Sequence, residues 1–283
     1  MNRYFFFLFI GCFLLSKFLF SQELEADKYF ELKGKESAFG TVRHIESRGI
    51  GYKRGYSTAD GLFFPYKEEN SWLLVDVRGH HFVNNEYAGN AGIGVRRFST
   101  SRESVYGVNT YYDYRSDHHR SLHFHQIGVG LEWLQYDFDV RLNGYFPIDR
   151  RRQIQHCRFD DFIGDFVMTR YKYKTALTGV NLEVGFPLCR NKYNNFYLAL
   201  GPYYYDRACK EIFGGKARLE MRLYGYVTLE LIASYDHRFK GRVQGQFAIT
   251  YPKRECKNGL MTKPVERHEI IALDKFCKWN KNF

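Results

Sequence analysis

Apolar residues alternate with polar or small residues in one segment of this chain after another, and this feature most constrains how it folds. In residues 136–147, for example, the even positions are mostly apolar, while the odd positions include Asp137, Asp139, Arg141 and Asn143. Residues 180–186 and 217–223 repeat the pattern. Because successive side chains of a strand point to opposite faces, the pattern indicates sheets with one apolar and one polar face.

A soluble β-sandwich also alternates, so the length and chemistry of the segments must decide between the two architectures. The segments span about ten residues, the length of a tilted strand that crosses a bilayer. Their apolar face is often aromatic near the ends, and their polar face carries both charge signs in midstrand. Such a face suits a hydrated lumen better than a dry core. The sequence therefore predicts an all-β fold, a closed antiparallel transmembrane β-barrel of about twelve strands.

The expected strands succeed one another with short connections over most of the chain. Their spans are 41–52, 71–83, 87–98, 104–115, 121–134, 136–147, 175–188, 195–206, 216–224, 226–238, 242–251 and 266–274. Residues 148–174 form a basic, partly apolar insertion, which the sequence leaves open as a loop, an extended hairpin or a plug. The predicted organisation is a barrel at 41–274 and a C-terminal tail at 275–283.

The N-terminus has the layout of an export signal. Arg3 precedes an apolar stretch from Tyr4 to Phe20, and Ser21 is small enough to precede a cleavage site. We expect a signal peptide at residues 1–21 and a short segment at 22–40. A retained anchor is the alternative, although the stretch is short for a spanning helix. The mean hydropathy of −0.46 is too polar for a bundle of membrane helices.

The formal net charge of +11 does not indicate a nucleic-acid-binding protein. Lys and Arg are spread along the chain and mostly alternate with apolar residues, whereas nucleic-acid binding requires a clustered basic surface. Aromatic residues make up 18% of the chain, and Tyr predominates over Trp among those with a polar end. Rings of this kind suit a membrane–water interface.

Several motifs, in their order along the chain, resemble the barrel strands of the intimin/invasin family. They lie at Asn90–Phe98, Gly107–Tyr114, Ile127–Trp133, Leu142–Phe146, Gly179–Glu183 and Val265–Ile271. The resemblance extends over roughly residues 40 to 274, and its last motif is similar to the segment that closes the barrel in that family.

The resemblance implies a twelve-stranded inverse autotransporter barrel in the outer membrane of a Gram-negative bacterium. It also implies contact with outer-membrane lipid and insertion by the barrel-assembly machinery. In that family a C-terminal passenger passes through the barrel to the cell surface. Only Lys275–Phe283 come after the last expected strand, so the chain resembles a passenger-less relative.

Charged and polar side chains on the inward face are the candidate functional residues. Either they give a pore its selectivity, or they form a paired network that fills the lumen without conducting; we favour the network, because small barrels are usually filled by side chains. The lumen-lining candidates are Asp139, Arg141, Asn143, Glu183, Arg218, Glu220, Arg222 and Glu230.

Two further clusters have the composition of chemical sites. The first contains acidic, basic and imidazole groups, namely Asp117, His118, His119, Arg120, His123 and His125. Imidazoles this close suit a transition metal, but the spacing is not diagnostic, and a polar turn explains it as well. In the second, His44, Glu46 and Ser47 lie close together without a nucleophile motif. We therefore expect no metal, no cofactor and no enzymatic activity.

Five cysteines lie beyond the predicted signal peptide, namely Cys157, Cys189, Cys209, Cys256 and Cys277. An odd number leaves at least one without a partner in the same chain, and the sequence does not fix the pairing. With strand 1 rising from the periplasm, Cys189 and Cys256 are expected on the outer side and the other three on the inner side.

The leading functional interpretation is a surface-exposed outer-membrane barrel without enzymatic activity. A small porin that passes solutes through a charged lumen is the first alternative. An outer-membrane hydrolase is the second. Bilayer conductance and serine-reactive probes separate the three.

Overall fold

The computed structural model describes residues 36–282 except for 118–121, 149–151, 164–165, 191–193, 208–209 and 255–258. The predicted signal peptide at 1–21 and most of the segment at 22–40 lie outside the described residues. Within them, no helix has the length and apolarity needed to cross a bilayer.

Strands make up nearly all of the regular structure in the described residues. They are β1 Ala38–Glu46, β2 Tyr56–Lys67, β3 Ser71–Phe82, β4 Tyr87–Ser99, β5 Ser104–Asp117, β6 Leu122–Leu134, β7 Asp139–Pro147, β8 Arg152–Ile163, β9 Phe166–Ala176, β10 Thr178–Arg190, β11 Asn194–Arg207, β12 Lys210–Leu223, β13 Val227–Asp236, β14 Arg242–Tyr251 and β15 Leu273–Asn282. Short 3₁₀ turns occupy Thr100–Arg102 and Leu260–Thr262.

Twelve of the strands form a closed antiparallel barrel, which confirms the predicted fold. The order around the barrel is β1-β14-β13-β12-β11-β10-β7-β6-β5-β4-β3-β2. Strand β1 pairs with β14 from Gly40 opposite Tyr251 to Glu46 opposite Gly245, and this seam closes the barrel. Because the barrel is closed, none of the twelve strands has an unpaired edge. Backbone N–H and C=O groups in lipid need hydrogen-bond partners within the protein, and closure provides them.

Burial alternates along the barrel strands as the sequence pattern predicts. In β4, for instance, Asn90 and Arg96 point inward and are buried, while Ile93 and Val95 point outward and are exposed. The outward face carries a band of exposed aliphatic side chains, including Val42, Val77, Val108, Val129, Leu131, Leu142, Leu182, Leu219, Leu229, Leu231 and Ile249. Such a band is the surface that a membrane barrel presents to lipid.

One barrel strand, β2, is absent from the strands predicted from the sequence. Leu62, Phe63 and Phe64 are consecutive apolar residues, and Pro65 comes next, so alternation is hard to recognise there. In the structure Leu62 and Phe64 point inward while Phe63 points outward, and the pairing with β3 shifts register between Phe63 and Tyr66. A proline that cannot donate to the ladder lies at this irregularity, as is usual within sheets.

The predicted strand at 266–274 is wrong, as is the expectation that Val265–Ile271 closes the barrel. Residues up to Ala272 lie inside the barrel, and β15 begins at Leu273. The alternation in this stretch has another cause, because the charged side chains of Arg267 and Glu269 pair with charges on the lumen wall. The count of twelve is correct because β2 takes the place of this strand.

Strands β8, β9 and β15 form a separate three-stranded sheet in the order β15-β9-β8. The insertion at 148–174 is thus an extended hairpin, one of the three alternatives that the sequence left open. The predicted tail at 275–283 lies largely in β15, which pairs with β9 from Leu273 opposite Ala176 to Asn282 opposite Val167.

The two ends of the barrel differ in their connections. At one end, which we call the entry mouth, β1 begins, β14 ends and the turns at 68–70, 100–103, 135–138 and 224–226 are short. At the other, the exit mouth, lie the longer connection at 47–55 and the excursion from β7 through β8 and β9 to β10. These names describe the course of the chain after β14.

Candidate functional site

The interior of the barrel is occupied by residues 259–272, which we call the lumen segment. It starts at the entry mouth beside the end of β14. It ends at the exit mouth, where the backbone N–H of Leu177 donates to the carbonyl oxygen of Ala272 at 3.0 Å. The chain therefore crosses the barrel from one mouth to the other before it joins β9 as β15.

Apolar side chains anchor the start of the lumen segment. Leu260, Met261 and Val265 are buried in a cluster with inward-facing side chains near the entry mouth, including Phe39, Leu62, Phe64, Trp72, Leu74, Phe98, Val105 and Leu134. The same pattern recurs at the exit mouth, where Ile270, Ile271 and Ala272 pack into apolar clusters on the wall. The charged residues of the segment lie between these two apolar ends.

Arg96 fixes the turn at Leu260–Thr262 to the wall. Its guanidinium is fully buried and forms a bidentate pair with Glu132, with N–O distances of 2.9 and 3.0 Å. Its Nη1 also donates to the carbonyl oxygens of Met261, at 2.9 Å, and Lys263, at 2.5 Å. A buried guanidinium with several acceptors of this kind is stabilised by charge-assisted hydrogen bonds.

Arg96 is a wall residue that contacts the lumen segment, whereas Arg267 is a residue of the lumen segment that contacts the wall. Its two terminal nitrogens donate to Asp113 on β5, at 2.6 and 2.7 Å, and its guanidinium lies 4.2 Å from the centre of the Tyr111 ring. It also lies against Gly128 of β6, where a Cβ atom would be 2.2 Å from Nη2. A residue without a side chain is therefore needed at position 128 for this approach.

Glu269 is the main acceptor in the exit half. It accepts from the guanidinium of Arg43, from Arg78 at 3.1 Å and from the Tyr56 hydroxyl at 2.9 Å. Its backbone carbonyl accepts from Asn90 at 2.8 Å. One residue of the lumen segment thus contacts strands β1 to β4 at once, which orients the segment inside the barrel.

Gly51 lies where the lumen segment leaves the barrel. Its φ of +78° is in the left-handed region, and a Cβ atom there would lie 2.5 Å from the Cα of Ala272. Its carbonyl oxygen accepts from Arg115 at 3.1 Å. The connection at 47–55 thus folds inward and narrows the exit mouth, which a glycine permits in both conformation and space.

The predicted lumen-lining residues on β7 lie inside the barrel and contact the lumen segment. Asp139 is buried and accepts from Lys263 at 2.7 Å and from Arg141 at 3.2 Å. Asn143, also buried, donates to the carbonyl oxygen of Glu266 at 3.2 Å. The structure thus brings these three residues together along one strand.

The other predicted residues converge on Arg218, which is buried at the centre of a carboxylate cluster. It pairs with Glu183 at 2.8 Å, Glu230 at 2.9 Å and Glu220 at 3.2 Å, and Glu266 of the lumen segment lies at 3.5 Å. Arg222, which is half-buried, pairs with Glu220 at 2.7 Å. Because Arg141 also lies 3.6 Å from Glu183, the seven charged candidates belong to one network of opposite charges, and Asn143 hydrogen-bonds the lumen segment beside it.

Several residues in the contacts between the wall and the lumen segment are not among the candidates predicted from the sequence, namely Arg43, Arg78, Arg96, Asp113, Arg267 and Glu269. The first four lie on the inward face of predicted strands, so their positions on the wall could have been recognised. Their partners could not, because Arg267 and Glu269 were placed in a strand rather than in the lumen.

Polar cavities remain beside the lumen segment. One, of about 80 Å³, lies toward the entry mouth, and one, of about 70 Å³, lies toward the exit mouth. Both border Glu230 and Gln246, on β13 and β14. Cavities of this size and polarity accommodate a few water molecules each.

The predicted histidine cluster falls partly outside the described residues, at His118, His119 and Arg120. His125 contacts the Tyr112 hydroxyl at 2.5 Å, and His123 contacts that of Tyr114 at 2.7 Å, on the outward face of β5 and β6. Among the described residues, no three His, Cys, Asp or Glu side chains form a group that could hold a metal ion.

His44 contacts Ser57 rather than Ser47. Its Nδ1 lies 2.9 Å from the Ser57 hydroxyl, and its Nε2 lies 3.1 Å from Glu46, all on the exposed outer face. A serine nucleophile also needs hydrogen-bond donors for the developing oxyanion. Because β1 and β2 each pair with a neighbour on both sides, their backbone N–H groups are engaged in the sheet. The geometry therefore matches a cross-strand polar contact.

Cys189 carries a thiol without a disulfide partner in the described residues. It lies at the end of β10 next to the entry mouth, where β1 begins. With strand 1 rising from the periplasm, Cys189 was predicted on the outer side, which is the side where strand 1 ends. That prediction is wrong, because the additional strand β2 reverses the direction of the strands that follow it. The pairing of the other cysteines stays a prediction.

Comparison with known proteins supports the resemblance. The family model described as inverse autotransporter, beta-domain, matches residues 41–164, somewhat less than half of the chain. The resemblance drawn from the sequence is confirmed, and the protein is located in the bacterial outer membrane, in contact with its lipid. No curated protein matches the chain.

Solved structures also match this chain, at low identity. A structure from work described as "Unveiling the Mechanism Behind the in-meso Crystallization of Membrane Proteins" matches with a TM-score of 0.56 at 15% identity, over 84% of this chain and 100% of that chain. An outer membrane channel from Pseudomonas putida F1 matches at 10% identity with a TM-score of 0.47, over 81% and 100%. The beta domain of the Bordetella autotransporter BrkA matches at 8% identity with a TM-score of 0.29, over 75% and 96%. At 15% identity, the first likeness shows the fold alone.

Proposed function

We propose that this protein is an outer-membrane barrel that carries its own C-terminal segment through the lumen and displays the β8–β9–β15 sheet at the cell surface. The observation that carries the proposal is the course of residues 259–272, from the end of β14 at the entry mouth to β15 at the exit mouth. A segment that crosses the bilayer inside a barrel brings the next part of the chain to the opposite side.

The connections support this orientation. Outer-membrane barrels have short periplasmic turns and longer extracellular loops. The entry mouth has the short turns, and the exit mouth has both the 47–55 connection and the β8–β9 hairpin. On this basis the entry mouth faces the periplasm, in line with export by the predicted signal peptide and insertion by the barrel-assembly machinery.

We further propose that the barrel is closed rather than conducting, and that it has no catalytic role. Inward charges pair with one another and with the lumen segment, and apolar side chains pack around both ends of that segment. The porin alternative rests on the two polar cavities, but side chains of the network border both of them. Single-channel recordings in planar bilayers test this: we expect no steady conductance, and deletion of residues 259–272 is expected to produce it.

Epitope insertion on intact cells tests the display. A short tag inserted between β8 and β9 should be labelled by antibody without permeabilisation. A tag in the turn at 224–226, at the opposite mouth, is the matched control and should require permeabilisation. Labelling of the control alone would reverse the orientation, and labelling of neither on intact cells would remove the display proposal.

A further inference from the structure

We propose that the entry mouth contains a binding site for a small inorganic oxyanion of the phosphate or sulfate class. The site is a cavity of about 50 Å³ between Lys263–Glu266 of the lumen segment and the ends of β7, β10, β11 and β12. Anion binding plays no part in the display of the sheet, so the site goes beyond the proposed function.

One cation of this cavity has no carboxylate partner. Five cationic side chains line it, namely Arg141, Arg190, Arg218, Arg222 and Lys263. Arg222 and Lys263 pair with carboxylates of the lining, while Arg141 and Arg218 also pair with Glu183 beyond it. Arg190 is therefore the cation of the lining that no carboxylate of the described residues neutralises. A partly buried charge without a partner is costly, so an anion beside Arg190 is stabilised.

The hydrogen-bond donors of the cavity are incompletely used as well. Arg141 and Arg218 are both 3% exposed, and the Nε of each is buried without an acceptor among the described residues. The Nε of Arg190 is in the same state. The Arg190 guanidinium lies 4.4 Å from the ring centre of Tyr136, and within the described part of the chain no carboxylate pairs with it. Buried N–H groups generally have an acceptor, so three such donors around one cavity indicate a ligand that supplies several.

The chemistry of the donors selects the anion. Guanidinium groups are planar forks that match the oxygens of phosphate or sulfate better than a spherical halide. A cavity of about 50 Å³ has room for about four water-sized groups, which suits the four oxygens of a tetrahedral ion. Arg190 and Asn195 flank the β10–β11 connection at the entry mouth, so a soluble ion reaches the site without crossing the barrel.

Titration of the full folded protein in detergent with inorganic phosphate, at constant ionic strength set with chloride, tests the site. The variant is Arg190→Gln, which removes a charge without leaving a carboxylate unpaired. The control is Arg102→Gln, the same change at an exposed position of the same mouth, in the turn Thr100–Arg102. Gel mobility with and without boiling verifies that each variant folds.

We expect saturable binding with one phosphate per chain, at least ten-fold weaker in Arg190→Gln and unchanged in Arg102→Gln. Arg190→Lys should bind with intermediate affinity, because it keeps the charge but loses the planar fork. Absence of saturable binding to the natural chain, or an equal loss in both glutamine variants, overturns the proposal. Glycerophosphoethanolamine, a soluble lipid headgroup, is the final arm: binding as tight as that of phosphate would overturn the assignment to a free ion.

Discussion

The two sides of the barrel wall meet the lumen segment in different ways. On one side, strands β3 to β7 contact it directly through Arg96, Asp113, Asn143 and their neighbours; we call this the contact wall. On the other, strands β12 to β14 face it mainly across cavities of about 80 and 70 Å³; we call this the cavity wall. Both walls carry inward charges, and both are continuous sheets. The difference indicates that a few ordered partners hold the lumen segment on one side, while the cavities on the other side leave room for water.

Substitution of arginine by alanine should separate the walls most clearly. Arg96→Ala leaves Glu132 buried without its partner and should lower the free energy of unfolding by about 3–5 kcal/mol. Arg222→Ala, on the cavity wall, should cost about 1 kcal/mol, because Glu220 keeps Arg218 and gains water. Urea unfolding of both variants in lipid vesicles measures the difference, and equal costs would contradict the distinction between the walls.

Substitutions on the outward face should cost about the same free energy on the contact wall and on the cavity wall. Val129 on β6 and Leu231 on β13 are both exposed near the middle of their strands, one on each wall. Val129→Arg and Leu231→Arg should each cost roughly 2–4 kcal/mol, since each places a charge in hydrocarbon near the midplane. Folded yield in vesicles gives the measure. A variant tolerated as well as the natural chain would show that its strand does not face lipid.

Added volume beside the lumen segment should have a smaller effect. Gly128→Ala directs a methyl group at Arg267, which Asp113 and Tyr111 hold in position, and should destabilise the barrel by about 1–3 kcal/mol. Gly245→Ala, on the outward face of β14, meets no atom within 4 Å and is the control that should be close to neutral. Thermal unfolding followed by gel mobility compares the two. A neutral Gly128→Ala would mean that Arg267 can move aside without loss.

Removal of an amide should give the smallest contrast. Asn90→Ala, on the contact wall, removes hydrogen bonds to Asp113 and to the carbonyl oxygen of Glu269, and should cost about 1–3 kcal/mol. Gln246→Ala, beside both cavities, removes one bond to Glu230, which water can replace, and should cost less than about 1 kcal/mol. Urea unfolding in lipid vesicles compares the two variants. A larger loss of stability in Gln246→Ala than in Asn90→Ala would contradict the assignment of the ordered contacts to the contact wall.

The sequence was sufficient to predict the barrel because alternation is a local property. Each inward Asp or Arg on β7 or β12 is flanked by outward apolar residues, whatever lies opposite. It was not sufficient to place the lumen segment, because Arg267 and Glu269 alternate with less polar neighbours just as wall residues do. Only their partners, Asp113 on β5 and Arg78 on β3, distinguish them, and those contacts join residues more than 150 positions apart. In β2 the failure had a local cause, since Pro65 and its bulge hide the alternation.

The course of the lumen segment also has a mechanical consequence. Its start lies beside the end of β14, at the seam where the barrel closes, and its end leads into β15, which pairs with a hairpin that extends from between β7 and β10. In a ring of twelve strands these two places are nearly diametrically opposite. We therefore expect the segment to brace the barrel along this diagonal and to oppose flattening under lateral pressure from the surrounding lipids. The three-stranded sheet at the exit mouth is broader than a single strand. We therefore expect it to prevent the lumen segment from sliding back through the barrel.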